Sequence, residues 1–284
     1  MSVSSSELSR AEGGVSAPPG WAERLWAAAT SLQVAGSVGL AVLLLAAWQW
    51  LPGWLGIPAF IIPPASDVWA EFLWMTDRGA LMYHTAITFF LVVVGFVIGC
   101  LLGAAVGYLL GISRNAEIVL SPYILALQIA PKVAFAPLFV LWFGYTFTPK
   151  ILVAVLIVFF PVLINVLGAV RAVDQHQIDL ARSFKATRLQ IFSKIELPAS
   201  MPAFFAGLRI GSTLAVIGVV VGELVGGNTG LGYLLTFAQG QANTPAVFVT
   251  ITLLTLIGII VYLAVVIMEG RVLRYMNRRT VEGG

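Results

Sequence analysis

Six long apolar segments constrain this chain more than any other feature of its sequence. Each approaches or exceeds the ~20 residues that a helix needs to cross a membrane. They lie at residues 34–51, 86–112, 118–143, 150–170, 199–222 and 245–268. The run Ile151–Val170 is continuous rather than alternating, which excludes a transmembrane barrel of short strands. The expected fold class is therefore an all-α integral membrane protein with six transmembrane helices.

The basic residues predict how these helices are oriented. If both termini are cytoplasmic, then of the 16 Lys and Arg residues only Arg78, Lys132, Lys150 and Arg209 do not lie on the cytoplasmic side. Arg78 and Lys150 then fall outside the membrane, and Lys132 and Arg209 fall within apolar segments. This placement also accounts for the net charge of +3, so we expect no nucleic-acid partner.

The remaining segments divide the chain into a membrane domain and two tails. Residues 1–30 are polar and lack the apolar core of a cleaved signal, so they predict a disordered cytoplasmic tail with an interfacial helix near its tryptophans. Residues 31–270 form the expected transmembrane domain, which includes a long cytoplasmic loop at 171–198. Residues 271–284 form a basic cytoplasmic C-terminal tail.

The third apolar segment is interrupted by Pro122, Pro131 and Pro137. Each internal proline removes an amide donor and clashes with the preceding turn, so the helix should kink or partly unwind. Irregular backbone at membrane depth is tolerated only where it is buried in protein or lines a wet cavity. This segment is the first candidate for the lining of a transport pathway.

Lys132 lies between two of these prolines, close to the middle of the membrane. A charge there costs at least about 2.5 to 3.5 kcal/mol, so the ammonium group must pair, face water or reach an interface. Two interpretations stay open: a role in the pathway or in solute binding, or a structural bond to carbonyl groups freed by Pro137.

Other polar side chains within or at the ends of the segments extend this set. The candidate pathway residues are Gln128, Lys132, Trp142, Asn165, Arg209 and Glu223. For Arg209 the alternative is structural anchoring near the cytoplasmic interface. For Gln128 and Asn165 it is hydrogen bonding between helices. Glu223 precedes a glycine-rich external loop and is expected to be a gate or a contact at the helix end.

The sequence lacks the common signatures of catalysis. It has no phosphate-binding loop, dinucleotide turn, HExxH or paired cysteines, and Cys100 is its single cysteine. The two histidines, His84 and His176, fall on opposite sides of the membrane in this topology. Transport is therefore favoured over catalysis, with no cofactor or metal bound by this chain. Any use of ATP must come from another chain.

The loop at 171–198 is predicted to be helical and to face a partner. Apolar residues recur at helix-compatible spacing, at Ile178, Ala181, Phe184, Ile191 and Ile195. Thr187 with Gln190 forms a capping-box pattern that begins a second short helix. An interfacial helix on anionic lipid is the alternative.

Residues 178–198, IDLARSFKATRLQIFSKIELP, resemble the EAA motif of binding-protein-dependent ABC importer permeases. That motif reads EAA, three residues, Gly, nine residues and I-x-L-P. Aligning the ends places Asp179 at its first position and Lys185 at its glycine. The resemblance implies that the loop couples to an ATPase through Asp179, Ala181, Arg182, Phe184, Lys185, Ala186, Arg188, Ile195, Leu197 and Pro198.

The resemblance extends over most of residues 60–270. IPPASDVW, APKVAFAPLFVLWFG and LRIGSTLAVIGVVVGELVGGNTGLGYLL resemble segments of the nitrate, sulfonate and taurine subfamily. The proline-lysine motif of the third apolar segment, APKVAFAPLFVLWFG, is also similar to permeases for pyrimidine precursors of thiamine and for riboflavin.

The implied protein is a permease subunit with the type I importer (MetI-like) fold in the bacterial cytoplasmic (inner) membrane. It would pair with a second permease copy, in a homodimer, and with two ATPase subunits that bind ATP and Mg²⁺. A periplasmic or lipid-anchored solute-binding protein would deliver a small solute, either a nitrate-, sulfonate- or taurine-like anion or a pyrimidine- or flavin-like compound.

Two other functions are alternatives to an importer permease. An ion-coupled secondary transporter should show inverted repeats and polar residues at discontinuous helices, but no clear repeat is present and relay residues are sparse. A membrane-embedded enzyme requires a group of polar residues at one depth, which the sequence lacks.

Overall fold

A computed structural model describes residues 32–274, and every regular element in this part of the chain is a helix. The α-helices are α1 (Leu32–Trp54), α2 (Ala65–Asp77), α3 (Ala80–Gly111), α4 (Arg114–Ile129), α5 (Ala136–Phe143), α6 (Phe147–Arg171), α7 (Gln175–Ser183), α8 (Arg188–Ile191), α9 (Leu197–Gly226), α10 (Leu231–Gly240) and α11 (Thr244–Val272). The predicted tail at 1–30 and residues 275–284 of the C-terminal tail lie outside the described residues.

The chain divides into two compact units at Pro58. The first unit contains α1, which is apolar around its whole circumference, a pattern typical of a helix surrounded by lipid or by other helices. The second unit begins at Ala59 and contains all the other described helices.

Within residues 32–274, five helical segments are long and apolar enough to cross a membrane. Four of them are α1, α3, α6 and α11, and the fifth runs through α8 and α9 as Arg188–Gly226. A sixth is present if α4 and α5 are counted together as one bent span. An all-helical membrane architecture is therefore confirmed.

The third apolar segment is broken, as its prolines predicted. α4 ends at Ile129, a short 3₁₀ turn covers Lys132–Phe135, and the two helical stretches meet at 81°. Ala130 is extended, with ψ of 137°, because a residue before proline avoids the helical region. Pro137 lies in the first turn of α5, where its missing amide costs nothing. Pro122 stays inside α4, so Pro131 is the proline at the break.

α6 is the central helix of the second unit, and a glycine stripe on α3 packs closely against it. A Cβ atom added at Gly95 would lie 2.6 Å from the Cβ atom of Ala154, and one added at Gly107 would lie 2.5 Å from the carbonyl oxygen of Leu163. Small residues allow such close approach between membrane helices. The stripe therefore packs within the chain.

A second stripe of small residues, which the sequence analysis did not identify, packs α9 on α6. A Cβ atom at Gly218 would lie 2.5 Å from the Cα atom of Ala154, and one at Gly222 would lie 2.7 Å from the Cα atom of Lys150. Ala154 is fully buried between the two stripes. The glycines of the α9 stripe are less regularly spaced than those of the α3 stripe, so the sequence did not reveal the pattern.

Candidate functional site

The loop at 171–198 folds as two short helices, as predicted. The side chain of Asp174 caps α7 by accepting from the amide of His176 at 2.9 Å. Thr187 and Gln190 form the predicted capping box at the start of α8, with bonds of 2.8 and 3.3 Å. A π-helical turn, Phe192–Glu196, then leads directly into α9.

Lys185 has the left-handed backbone conformation that glycine usually adopts, with φ of 58°. Its amide donates to the carbonyl of Arg182 at 2.8 Å, and the amide of Ala186 donates to the carbonyl of Ala181 at 3.0 Å. These two bonds form a Schellman motif at the end of α7. The loop therefore bends at the motif's glycine position although a lysine stands there.

The surface of the loop is apolar and basic. Leu180, Phe184 and Leu189 are 61%, 79% and 73% exposed, whereas Ile178 and Ile191 are buried. Three of the loop's basic residues, Arg182, Lys185 and Arg188, are also exposed and lie within four positions of Phe184 in the sequence. We call Leu180, Phe184 and Leu189, with these three basic residues, the loop surface.

The remaining predicted loop residues attach this surface to the rest of the fold. Asp179 forms an ion pair with Arg182 at 3.3 Å, and Ala181 and Ala186 are half-buried. Ile195, Leu197 and Pro198 lie half-buried at the base of α9.

The base of α9 is joined to α3 by two residues that the sequence analysis missed. The hydroxyl group of Tyr108 donates to the buried carboxylate of Glu196 at 2.8 Å, and its ring contacts the ring of Phe192. The sequence does show a carboxylate, Glu196, within the I-x-L-P segment. Its partner Tyr108 is 88 residues away, so the sequence alone does not reveal the pair.

Three of the six candidate pathway residues line one cavity of about 450 Å³. These are Gln128, Lys132 and Asn165, and the rest of the lining is almost entirely apolar, including Ile157 and Phe160. The volume falls in the range of small-molecule sites. The cavity lies at the break in the third segment, where the proline pattern predicted a pathway lining.

Lys132 bonds to the backbone that the break leaves unpaired. Its ammonium group donates to the carbonyl of Gln128 and lies 4.9 Å from the ring centroid of Phe160. The unpaired carbonyl results from the end of α4 before Pro131 rather than from Pro137. Lys132 therefore both lines the cavity and forms a structural bond to a backbone carbonyl.

Arg209 and Trp142 do not line this cavity, and Asn165, which does, also bonds within its own helix. Arg209 forms an ion pair with Glu269 of α11 at 2.6 Å. Asn165 donates to the carbonyl of Pro161 at 2.8 Å, so this bond stays within α6 rather than joining two helices. Trp142 is exposed and contacts the neighbouring ring of Phe139.

Glu223 is almost completely buried, with 1% of its surface exposed, and bonds to Thr88 of α3. Lys150, expected outside the membrane, is also 1% exposed and donates to the carbonyl of Thr229 at 2.8 Å. Its position in the first turn of α6, packed against Gly222, accounts for this burial.

Comparison with known proteins agrees with this architecture. Residues 95–274 match the family model described as "Binding-protein-dependent transport system inner membrane component". The match covers the glycine stripe, the broken segment, the loop at 171–198 and α9 to α11.

Several relatives align over most of their own length. The riboflavin transport system permease protein RibX of Chloroflexus aurantiacus is 38% identical over 82% of this chain and 87% of its own. The aliphatic sulfonates transport permease protein SsuC of Bacillus subtilis, itself a tentative assignment, is 33% identical over 84% and 86%. The formylaminopyrimidine transport permease protein ThiX of Halalkalibacterium halodurans is 30% identical over 84% and 94%.

These similarities confirm the resemblance seen in the sequence and the prediction of a transport permease subunit rather than an enzyme. They also confirm a multi-pass location in the inner membrane. The chain belongs to the family of binding-protein-dependent transport system inner membrane components, the permeases of ABC transporters.

Proposed function

We propose that this permease is one half of the membrane pathway of an ATP-driven importer. A second copy of the chain would complete the pathway, two ATPase subunits with ATP and Mg²⁺ would bind on the cytoplasmic side, and a solute-binding protein would deliver solute from outside. In this arrangement the chain has six spans, with the bent pair α4 and α5 as one of them, and both termini are cytoplasmic.

The loop surface is the observation that carries this proposal. Phe184 is 79% exposed, and an exposed aromatic side chain flanked by basic residues is typical of a contact with another protein. The Schellman bend at Lys185 and the capping box at Thr187 fix the angle between α7 and α8. The loop therefore presents a preformed surface, which is what docking on an ATPase requires.

The solute pathway is proposed to run past the cavity at the break. Among residues 32–274 the membrane cation Arg209 has a carboxylate partner, Glu269, and Lys150 bonds to the loop at Thr229. Lys132 bonds to a backbone carbonyl and lies near an aromatic ring, as Lys150 does, but unlike the buried Lys150 it lines the cavity. Its charge is thus available to a solute, and the two carboxamides of Gln128 and Asn165 offer both donors and acceptors.

The groups that line the cavity suit two classes of solute. The relatives' names include sulfonates, riboflavin and formylaminopyrimidine. A sulfonate-like or nitrate-like anion, or a taurine-like one, would use the ammonium group of Lys132. A pyrimidine-like or flavin-like compound would use the carboxamides and the apolar wall.

The proposal is tested by substituting Phe184 in the chain produced together with its ATPase. Phe184→Asp should weaken ATPase binding by about 2 kcal/mol or more, because a carboxylate replaces the central apolar group of the contact. The measurement is the amount of ATPase that co-purifies with the permease and its ATP hydrolysis.

Two matched variants act as controls. Phe184→Leu keeps an apolar group at the same position, and Gln177→Asp adds the same charge to an exposed position of α7. Both should retain the ATPase. Retention by Phe184→Asp, or equal loss in Gln177→Asp, would contradict the proposed docking surface.

A further inference from the structure

The loop after α9 is fixed by a buried carboxylate. Glu223 accepts a hydrogen bond from the hydroxyl of Thr88 at 2.8 Å and another from the amide of Gly232 at 2.7 Å. The hydroxyl oxygen of Thr88 in turn accepts from the amide of Leu231 at 2.8 Å. We call Thr88, Glu223 and the amides of Leu231 and Gly232 the loop anchor.

The loop anchor is shielded from solvent and closely packed. Thr88 is fully buried, and Glu223 is 1% exposed. At Gly230, where φ is 106°, an added Cβ atom would lie 2.0 Å from a carboxylate oxygen of Glu223. Hydrogen bonds at a buried site are not easily replaced by water, so the loss of one partner is costly there.

Two further side chains hold the same loop. The amide of Gly230 donates to Nδ1 of His84 on α3 at 2.9 Å, and the ammonium group of Lys150 on α6 donates to the carbonyl of Thr229 at 2.8 Å. Residues 229–232 are thus bonded to α3, α6 and α9. The loop is not an independent segment but a part of this three-helix body.

The opposite end of α9 is connected in the same way. Tyr108 of α3 bonds to Glu196 at the base of α9, and Thr88 of α3 bonds to Glu223 near its other end. α9 has 30 residues and is therefore about 45 Å long. Hydroxyl-to-carboxylate bonds thus join α3 and α9 at both ends, while the two glycine stripes pack both helices on α6.

We propose that Thr88 and Glu223 are positioning residues for transport, which make the loop at 227–232 move as one body with α3, α6 and α9. When the loop surface before α9 is displaced, the movement then reaches residues 227–232 at the outer end of the pathway. Residues 227–232 need not rearrange among themselves. This inference rests on the proposed function, because the displacement is the one that an ATPase would produce.

The experiment places a reporter on the loop. Cys100 is the only cysteine, so Cys100→Ala with Asn228→Cys leaves a single thiol at an exposed position of the loop. The permease is assembled with its ATPase in proteoliposomes. Labelling by a membrane-impermeant maleimide is measured with no nucleotide and with ATP plus vanadate. Amide exchange of residues 229–232 is measured by mass spectrometry on the same samples.

Thr88→Val and Thr88→Ser form the matched pair. Valine has the shape of threonine but neither donates to Glu223 nor accepts from Leu231, whereas serine keeps the hydroxyl group. We expect the reporter to respond to nucleotide in the parent protein and in Thr88→Ser. In Thr88→Val the response should be lost, and the amides should exchange about ten-fold faster.

The other possible results contradict either the positioning role of Thr88 and Glu223 or the proposed importer function. A nucleotide response in Thr88→Val equal to that of Thr88→Ser overturns the positioning role, as does an unresponsive parent that still hydrolyses ATP. Failure of the parent to bind any ATPase contradicts the proposed function instead. If Thr88→Val does not assemble, Glu223→Gln replaces it, and parent-like labelling and exchange in that variant overturn the inference.

Discussion

At the scale of single residues, Lys185 has a left-handed backbone conformation that glycine usually adopts. The resemblance aligns this lysine with the glycine of the motif, where a bend needs a left-handed residue. The structure shows that the loop bends there, with φ of 58°. The left-handed conformation costs a residue with a Cβ atom roughly 1 to 2 kcal/mol.

Substitution of Lys185 should therefore change the stability of the loop in opposite directions. Lys185→Gly removes the steric cost and should stabilise the end of α7 by about 1 kcal/mol, whereas Lys185→Val should destabilise it because a β-branched residue fits this region poorly. Amide exchange of residues 181–186 measures both effects. Equal exchange in the two variants would show that the Schellman bend does not depend on this residue.

Lys132 also belongs to this scale, because its structural bond and its proposed role toward the solute can be separated by substitution. Lys132→Gln keeps a donor for the carbonyl of Gln128 but loses the charge, whereas Lys132→Arg keeps the charge. If the charge serves the solute, Lys132→Gln should reduce uptake about ten-fold, the effect of about 1.4 kcal/mol, and Lys132→Arg should reduce it less.

Uptake is measured in proteoliposomes with radiolabelled taurine, an alkanesulfonate and riboflavin, each offered with its own binding protein. The amount of assembled complex serves as the control for folding. Parent-like uptake of every transported probe by Lys132→Gln would leave Lys132 with its structural bond alone.

At the scale of elements, the packing of α6 depends on small residues from both neighbouring helices. The glycines of the α3 stripe recur every four residues, a regular spacing that is visible in the sequence. The stripe on α9 has irregular spacing and was missed. Hydrophobic segments and prolines predicted the helices and the break, because both signals are local.

A paired substitution on α9 and α6 tests this packing. Gly218→Ala places a Cβ atom 2.5 Å from backbone of α6 and should destabilise the protein by about 1 to 3 kcal/mol. Gly168→Ala adds the same group where nothing lies within 4 Å, so it should be neutral or slightly stabilising. Thermal unfolding in detergent measures both. Equal stability of the two variants would contradict the close approach of α9 to α6.

At the scale of the whole molecule, the site was only partly predictable. Gln128, Lys132 and Asn165 were chosen as polar residues in apolar segments, and they do line one cavity. Arg209 and Glu223 met the same criterion but have partners on other helices. Thr88 and Tyr108 gave no signal, because a hydroxyl group in a membrane helix is unremarkable until its distant carboxylate partner is known.

The proposed orientation predicts which side of the membrane each end of α9 faces. Single-cysteine variants Lys185→Cys and Asn228→Cys, each with Cys100→Ala, lie in the loops before and after one span. In sealed right-side-out vesicles an impermeant maleimide should label position 228 and leave position 185 unlabelled until the membrane is permeabilised. Labelling of both positions from one side would contradict the single crossing.

The exposed state of α4 has a consequence for biosynthesis. Within the described part of the chain α4 buries no side chain, although it carries Ser121, Tyr123 and Gln128 beyond its polar and charged first turn. Polar groups that a membrane helix exposes to lipid are costly, and we expect that cost to mark an unassembled copy for degradation. A copy made without its partners should therefore be degraded faster than an assembled one, so that the cell keeps permease in proportion to complete transporters.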